Sequence, residues 1–186
     1  MEPVALKLIL FMLVSAVILY ISQKSLRVAK SHGFFRFFAL EVILVLILMN
    51  IGLWFTNPFS ALQILSWICL TLSLLLLGQG AYLILVAGKP DDRRHDTTLM
   101  TFEKTTVVVT SGIYRYIRHP LYSSLLFLAW GTFLKDVTIL SSAVVVIATF
   151  FLVATAKADE AECIQFFGSA YENYMTHTRM FVPLLF

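Results

Sequence analysis

Long apolar runs separated by short polar connections set the pattern of this chain. Four of them, Val4 to Ile21, Phe37 to Phe55, Ala61 to Ala87 and Val137 to Ala156, are long enough to cross a hydrocarbon core of about 30 Å, which takes roughly 17 to 25 helical residues. A backbone in lipid has to satisfy its own hydrogen bonds, so each run predicts a helix. A fifth run, Leu121 to Leu134, is shorter, and its length suits a kinked or re-entrant segment as well as a crossing. It follows Pro120, which removes a backbone donor and disfavours helix at the residue before it, so a helix starting at a break is expected there, at the membrane surface. The fold class predicted is all-α: a polytopic membrane helix bundle of about five transmembrane helices with a cytoplasmic C-terminal helix. The whole chain, 1–186, reads as one membrane domain, with three N-terminal spans in 1–87 and a loop, a helix hairpin and a C-terminal helix in 88–186. The first run has neither a basic leader nor a small-residue cleavage pattern, and is expected to be a retained span.

Composition agrees with a lipid solvent. The hydrophobic share is 59% and the mean hydropathy +0.85, against roughly 45–50% apolar residues in soluble domains. The formal charge of +3 is sorted by connection and not pooled on one face. Lys24, Arg27, Lys30 and Arg36 fall in one connection, and Lys89, Arg93, Arg94, Lys104, Arg115 and Arg118 in another. Lys157 and Arg179 follow the last span, and only Lys7 and Lys135 remain for the opposite side. Positive charge is held on the cytoplasmic side, so five crossings with the N-terminus outside and the C-terminus in the cytoplasm satisfy this distribution. The expected location is therefore an integral, multi-pass membrane protein of the plasma or inner membrane or the endoplasmic reticulum. Nucleic acid is not an expected partner; membrane lipids are. Cys69 and Cys163 have no metal-ligand or disulfide spacing, and no metal is expected.

The very short outer connections predict that helices two and three, and four and five, form tight antiparallel hairpins. Glu41 is expected to pair with Arg36 or to snorkel to the interface. The Gly78-Gln79-Gly80 triplet permits close approach of a neighbouring helix or of a ligand, and lies inside a helical run where no dinucleotide loop is possible. The loop from Gly88 to Thr106 is the one long polar stretch, either a solvated connector or a lid. Thr105 to Thr110 reads as a short extended segment, and Gly112 permits a turn into the next helix.

Two constellations carry candidate chemistry, and both are expected on the cytoplasmic side. Val109 to Tyr122 packs three tyrosines, two arginines and a histidine at a helix break, where interrupted backbone hydrogen bonding leaves groups to bind something. The plainer alternative is an interfacial belt of Tyr and Arg. Lys157 to Gly168, followed by Tyr171 and Tyr174, begins with Asp159 and Glu160 at the expected end of the last span. Ile164, Phe167, Tyr171 and Tyr174 then recur at helical spacing and would fold a tail helix along the membrane or back over the preceding loop.

The segment Gly112-Ile-Tyr-Arg-Tyr-Ile-Arg-His-Pro-Leu-Tyr122 resembles the Gly-x-Tyr-x-x-x-Arg-His-Pro-x-Tyr pattern of the isoprenylcysteine carboxyl methyltransferase family. The segment Asp159-Glu-x-x-Cys-x-x-x-Phe-Gly-x-x-Tyr-x-x-Tyr174 is similar to that family's C-terminal pattern, with Arg179 and Pro183 matching a later Arg and Pro. The resemblance implies a pocket for S-adenosyl-L-methionine. Thr106, Val107, Val108 and Val109 would supply backbone contacts, Tyr114 a side-chain contact, and His119, Pro120, Leu121 and Tyr122 a wall. Asp159, in place of a longer family glutamate, would bind the cofactor together with Glu160. The family arginine that helps to hold the substrate falls on Thr155, which argues against a prenylcysteine carboxylate as acceptor.

A sulfonium cation, ribose hydroxyls and adenine suit aromatic faces, carboxylates and backbone groups respectively, and this sequence supplies all three. A carboxylate acceptor needs no general base, whereas an amine would need one, for which His119 and Glu160 are the candidate catalytic residues. The expected function is a methyltransferase acting on a lipid-like or amphiphilic small molecule. The alternatives are a phospholipid N-methyltransferase and, from another class, a non-catalytic scaffold or transporter.

Overall fold

The computed structural model describes residues 4–91 and 103–183, and all regular structure among them is helical. The helices are α1 (Val4–Leu26), α2 (His32–Asn50), α3 (Ala61–Ala87), α4 (Pro120–Phe133), α5 (Ile139–Phe167) and α6 (Ser169–His177). Local sequence sets their ends. The side chains of Ser31 and Ser60 accept from the amides of Phe34 and Gln63 and cap α2 and α3. Thr138 and Ser141 form a reciprocal capping box at the start of α5. Pro120 opens α4, where its missing donor costs nothing.

Helices α1, α3 and α5, and α2 continued through a 3-10 turn to Leu53, are long and apolar enough to cross a membrane. The fifth apolar run forms α4, whose 14 residues rise only about 21 Å, less than a hydrocarbon core. It is also the interior helix, packed by α3, α5 and α2 and burying Tyr122, Ser123, Ser124, Ala129, Thr132 and Phe133.

Three sequence expectations change. Helices α2 and α3 do not form a tight hairpin: α2 packs chiefly on α5, α3 on α4, and α4 stands between them. Polar ties at one end explain this. Asn50 donates to the Thr132 carbonyl and Gln63 to the Lys135 carbonyl, so the ends of α2 and α3 both attach to the end of α4. Lys135 lies 3.7 Å over the Trp67 ring and hydrogen-bonds Gln63 at 2.9 Å. Secondly, α5 does not stop at Ala156. With no Gly or Pro before Gly168 it runs for 29 residues, and α6 follows a break at Gly168 (φ +59°). Thirdly, Glu41 does not pair with Arg36. Five residues put the two on different helix faces, and Glu41 instead accepts from Ser15 of α1 at 2.8 and 2.9 Å.

The packing of α3 on α4 uses small and hydroxylic residues, as helices in lipid do. Ser66 and Ser73 donate to the carbonyls of Gly131 and Ser124. Gly80 sits against Pro120 and Leu121, which an added Cβ would meet at 3.2–3.3 Å, so this glycine serves helix packing. Residues 92–102, the centre of the expected connector or lid, lie outside the described residues. Residues 105–110 form no strand; Thr105 makes an isolated bridge to Pro90.

Candidate functional site

Both motifs meet at one end of the bundle. Gly112 takes φ +57°, a conformation glycine adopts without strain, and starts a 3-10 turn, Gly112–Arg115, that buries Tyr114. Four residues later the chain breaks at His119–Pro120. The backbone groups at this break do not await a ligand, as the sequence suggested. The amides of Arg118 and His119 donate to the carbonyls of Arg179 and Met180, and the Arg179 amide donates to the Tyr116 carbonyl. Ser123 adds a bond to the Phe181 carbonyl, and Phe181 is buried against Tyr122 and Ala156. The segment after α6 is thus laced into the break, and it holds α6 across the end of α4 and α5.

On α5 the continuous helix places Asp159, Cys163 and Phe167, each four residues apart, along one stripe. That stripe, with Tyr171 and Tyr174 of α6, forms one wall of a cavity. Tyr114, His119, Pro120, Leu121 and Tyr122 form the facing wall; Val108, Val109, Ile84, Thr105, Glu103 and Arg118 complete it.

Of the residues singled out from sequence, Val108, Val109, Tyr114, His119, Pro120, Leu121, Tyr122 and Asp159 therefore line one space. Three do not. Thr106 turns back on the end of α3, its amide donating to Gly88 and its hydroxyl to the Lys89 carbonyl. The Val107 side chain is exposed, and Glu160 points to Arg118. Sequence reasoning missed Glu103 and Ile84 as cavity residues, which no pattern marked, and gave no site role to Arg118, although the Arg-His-Pro pattern contains it.

The site is densely ionic. His119 sits between two carboxylates, with Nδ1 3.4 Å from Asp159 and Nε2 3.3 Å from Glu160. Burial alone would push the His119 imidazole down, but the hydrogen bonds to Asp159 and Glu160 outweigh it and hold the pKa above the ordinary histidine value. Arg118 donates to Glu160 at 2.7 Å and to the carbonyls of Met175 and Thr178 at the end of α6, where a cation also complements the helix dipole. Tyr174 donates to the Tyr114 carbonyl at 2.6 Å, fastening α6 to the 3-10 turn. Burial raises the pKa of Tyr114, Tyr171 and Tyr174, so their hydroxyls stay protonated.

Also in the lining, Glu103 accepts from Arg36 of α2 at 2.5 Å and lies 3.9 Å from Nε2 of His32. Burial would raise the Glu103 carboxyl, but the neighbouring His32 imidazole and the Arg36 guanidinium hold it below the usual carboxylate range. His32 is held in turn by Glu162 of α5, which accepts from its amide at 2.9 Å and pairs with Nδ1 at 2.7 Å.

Residues 70–165 match the model of the isoprenylcysteine carboxyl methyltransferase family, more than half of the chain, and the protein belongs to that family. It is a multi-pass membrane member of it. Among curated relatives, the methanethiol S-methyltransferase of Crocosphaera subtropica is 30% identical over 76 residues, 41% of this chain and 29% of the relative. The enzyme of the same name from Pseudomonas deceptionensis is 26% identical over 76 residues, 41% and 28% of the two chains. The protein-S-isoprenylcysteine O-methyltransferase of Schizosaccharomyces pombe is 31% identical over 83 residues, 44% of this chain and 35% of the relative. The aligned part thus spans about a third of the length of these relatives. No solved structure matches the chain.

Proposed function

We propose that the chain is a membrane methyltransferase that uses S-adenosyl-L-methionine and acts on a small or lipid-like nucleophile reaching the cavity from the bilayer, with the cofactor arriving from the cytoplasm. The observation that carries this reading is the single cavity lined by both motif regions, Tyr114 to Tyr122 and Asp159 to Tyr174. Its residues fit the cofactor: aromatic faces for a sulfonium, carboxylates for hydroxyl and amine donors, and backbone at Val108 and Val109 for a base. S-adenosyl-L-methionine would supply an activated methyl group on a good leaving group, so the protein has mainly to align the partners and exclude water. Tyr114, Tyr122 and Asp159 bind and orient. Arg118 and Glu160 fix the wall.

The arrangement favours an acceptor that ionises without help. Both ring nitrogens of His119 face carboxylates and Glu160 is engaged by Arg118, so neither is placed to take a proton from an amine. A carboxyl acceptor, the kind in the family's description, is ionised at neutral pH and needs no such base, and a thiol, the kind in the methanethiol relatives' name, gives up its proton more readily than an ammonium does. A phospholipid amine is the weaker reading.

Calorimetry on detergent-purified protein tests cofactor use, with one-to-one binding expected; no heat at millimolar cofactor would overturn the reading. Incubation of membranes with methyl-labelled cofactor then separates acceptors. Base-labile or volatile label is expected from an ester or a small thioether, and base-stable label in phospholipid would restore the N-methyl alternative.

A further inference from the structure

Around the cavity, charges come in matched pairs, and one set reaches outside the family-matched region. Helix α2 contributes His32 and Arg36, one turn apart on a single face, and both are buried. Their partners come from far along the chain: Glu162 on α5 for His32, and Glu103 for both. His32 Nε2 and Arg36 Nε have no hydrogen-bond partner among the described residues. Burying two cationic side chains is costly unless they are paired. What they hold is Glu103, a carboxylate on the cavity wall.

An isolated carboxyl beside Ile84, Pro120, Leu121 and the tyrosines would take up a proton to escape burial. Arg36 and His32 prevent that, while Glu162 compensates His32 from behind. Glu103 therefore stays ionised in a wall that also carries aromatic rings, its charge paired from behind the wall. Asp159, the other carboxylate of the wall, is already turned onto His119. A soft, weakly hydrated cation suits Glu103 better than an ammonium does, because the neighbouring wall offers rings and apolar carbons and few acceptors.

We propose, building on the reading of the cavity as a cofactor site, that Glu103 faces the sulfonium of the methyl donor and makes the pocket prefer the charged donor over the neutral thioether product, with His32 and Arg36 as its positioning residues. As the acceptor's nucleophilic atom bonds the methyl carbon, the carbon–sulfur bond breaks, its electron pair stays on sulfur and the sulfonium becomes an uncharged thioether. The attraction to Glu103 ends at that moment, and product release follows without competition from this contact.

The test compares the affinities of the full-length detergent-purified protein for S-adenosylmethionine and S-adenosylhomocysteine, which share every group except the sulfonium methyl. Glu103→Gln is expected to weaken the donor about tenfold or more and the product by less than about twofold, the size expected of one partly screened charge at close range. Arg36→Met and His32→Gln should reproduce the pattern, and Arg36→Lys should retain most of the selectivity. Glu103→Asp keeps the charge and guards against a folding defect: it should preserve the preference even where overall affinity falls. Equal weakening of both ligands by Glu103→Gln, no weakening of either, or a loss of preference in Glu103→Asp as deep as in Glu103→Gln would overturn the proposal. Should the unaltered protein bind neither ligand, the cofactor reading itself fails, a different result from a protein that binds both with a preference untouched by Glu103→Gln.

Discussion

Replacing Arg118 by methionine tests how the site is built. The side chain joins α5 to α6: it donates to Glu160 at 2.7 Å and to the carbonyls of Met175 and Thr178. Methionine fills similar volume but leaves Glu160 with His119 alone and uncaps α6. Removing one partner of a buried pair costs about 3–5 kcal/mol. Here the two side chains are 10% and 11% exposed, so the lower end applies, about 3 kcal/mol. For a chain of this size each kcal/mol moves the midpoint by roughly 2–4 °C, giving a fall of about 6–12 °C. Thermal unfolding in detergent, followed by circular dichroism, measures it. Because α6 carries Tyr171 and Tyr174, affinity for S-adenosylmethionine should fall more than about tenfold in parallel. Arg118→Lys keeps the charge without the planar fork and should lose about half as much stability. A methionine variant melting within about 2 °C of the parent with unchanged affinity would refute the reasoning.

Further outcomes follow from other contacts. Gly112→Ala places a side chain at φ +57°, its Cβ 2.6 Å from Leu83, and should cost about 1–3 kcal/mol by thermal unfolding. Tyr174→Phe removes the 2.6 Å bond to the Tyr114 carbonyl and leaves that buried acceptor unsatisfied, for about 1–3 kcal/mol and weaker cofactor binding by calorimetry. The pKa of His119 is raised above 6.5 by its carboxylates, so its stabilisation is fully present below that value and is lost only as pH climbs through the higher folded-state pKa. Unfolding midpoints of the parent minus those of His119→Gln should therefore stay constant from pH 5.5 to 6.5 and shrink on the alkaline side; a difference that grows with pH would contradict the assignment.

The two motif regions were legible because their residue types are unusual in an apolar chain, and the cavity that joins Tyr114 to Asp159 follows from them. The interior helix was foreshadowed by Pro120 and the short run after it. The end of α5 was not, because charge at Asp159 reads as the end of a span, whereas a helix ends only where its backbone is broken, here at Gly168. The expected α2–α3 hairpin rested on loop length alone and ignored Asn50 and Gln63, whose amides tie those ends to α4. The His-Pro break was rightly placed, but its backbone bonds go to Arg179 and Met180, a pairing across some 60 residues that local pattern does not encode. Glu103, Arg36 and His32 were equally silent as site residues, because Glu103 and Arg36 meet across 67 residues of sequence and His32 meets Glu162 only through the packing of α2 on α5.

In the proposed function one cofactor contacts both motif regions at once. Ultraviolet photolabelling of the full-length protein with methyl-labelled S-adenosylmethionine, followed by peptide mapping, tests it most directly. Label should appear on peptides from both 108–122 and 159–174 and vanish with excess S-adenosylhomocysteine; label confined to one region, or undiminished by the competitor, would contradict it.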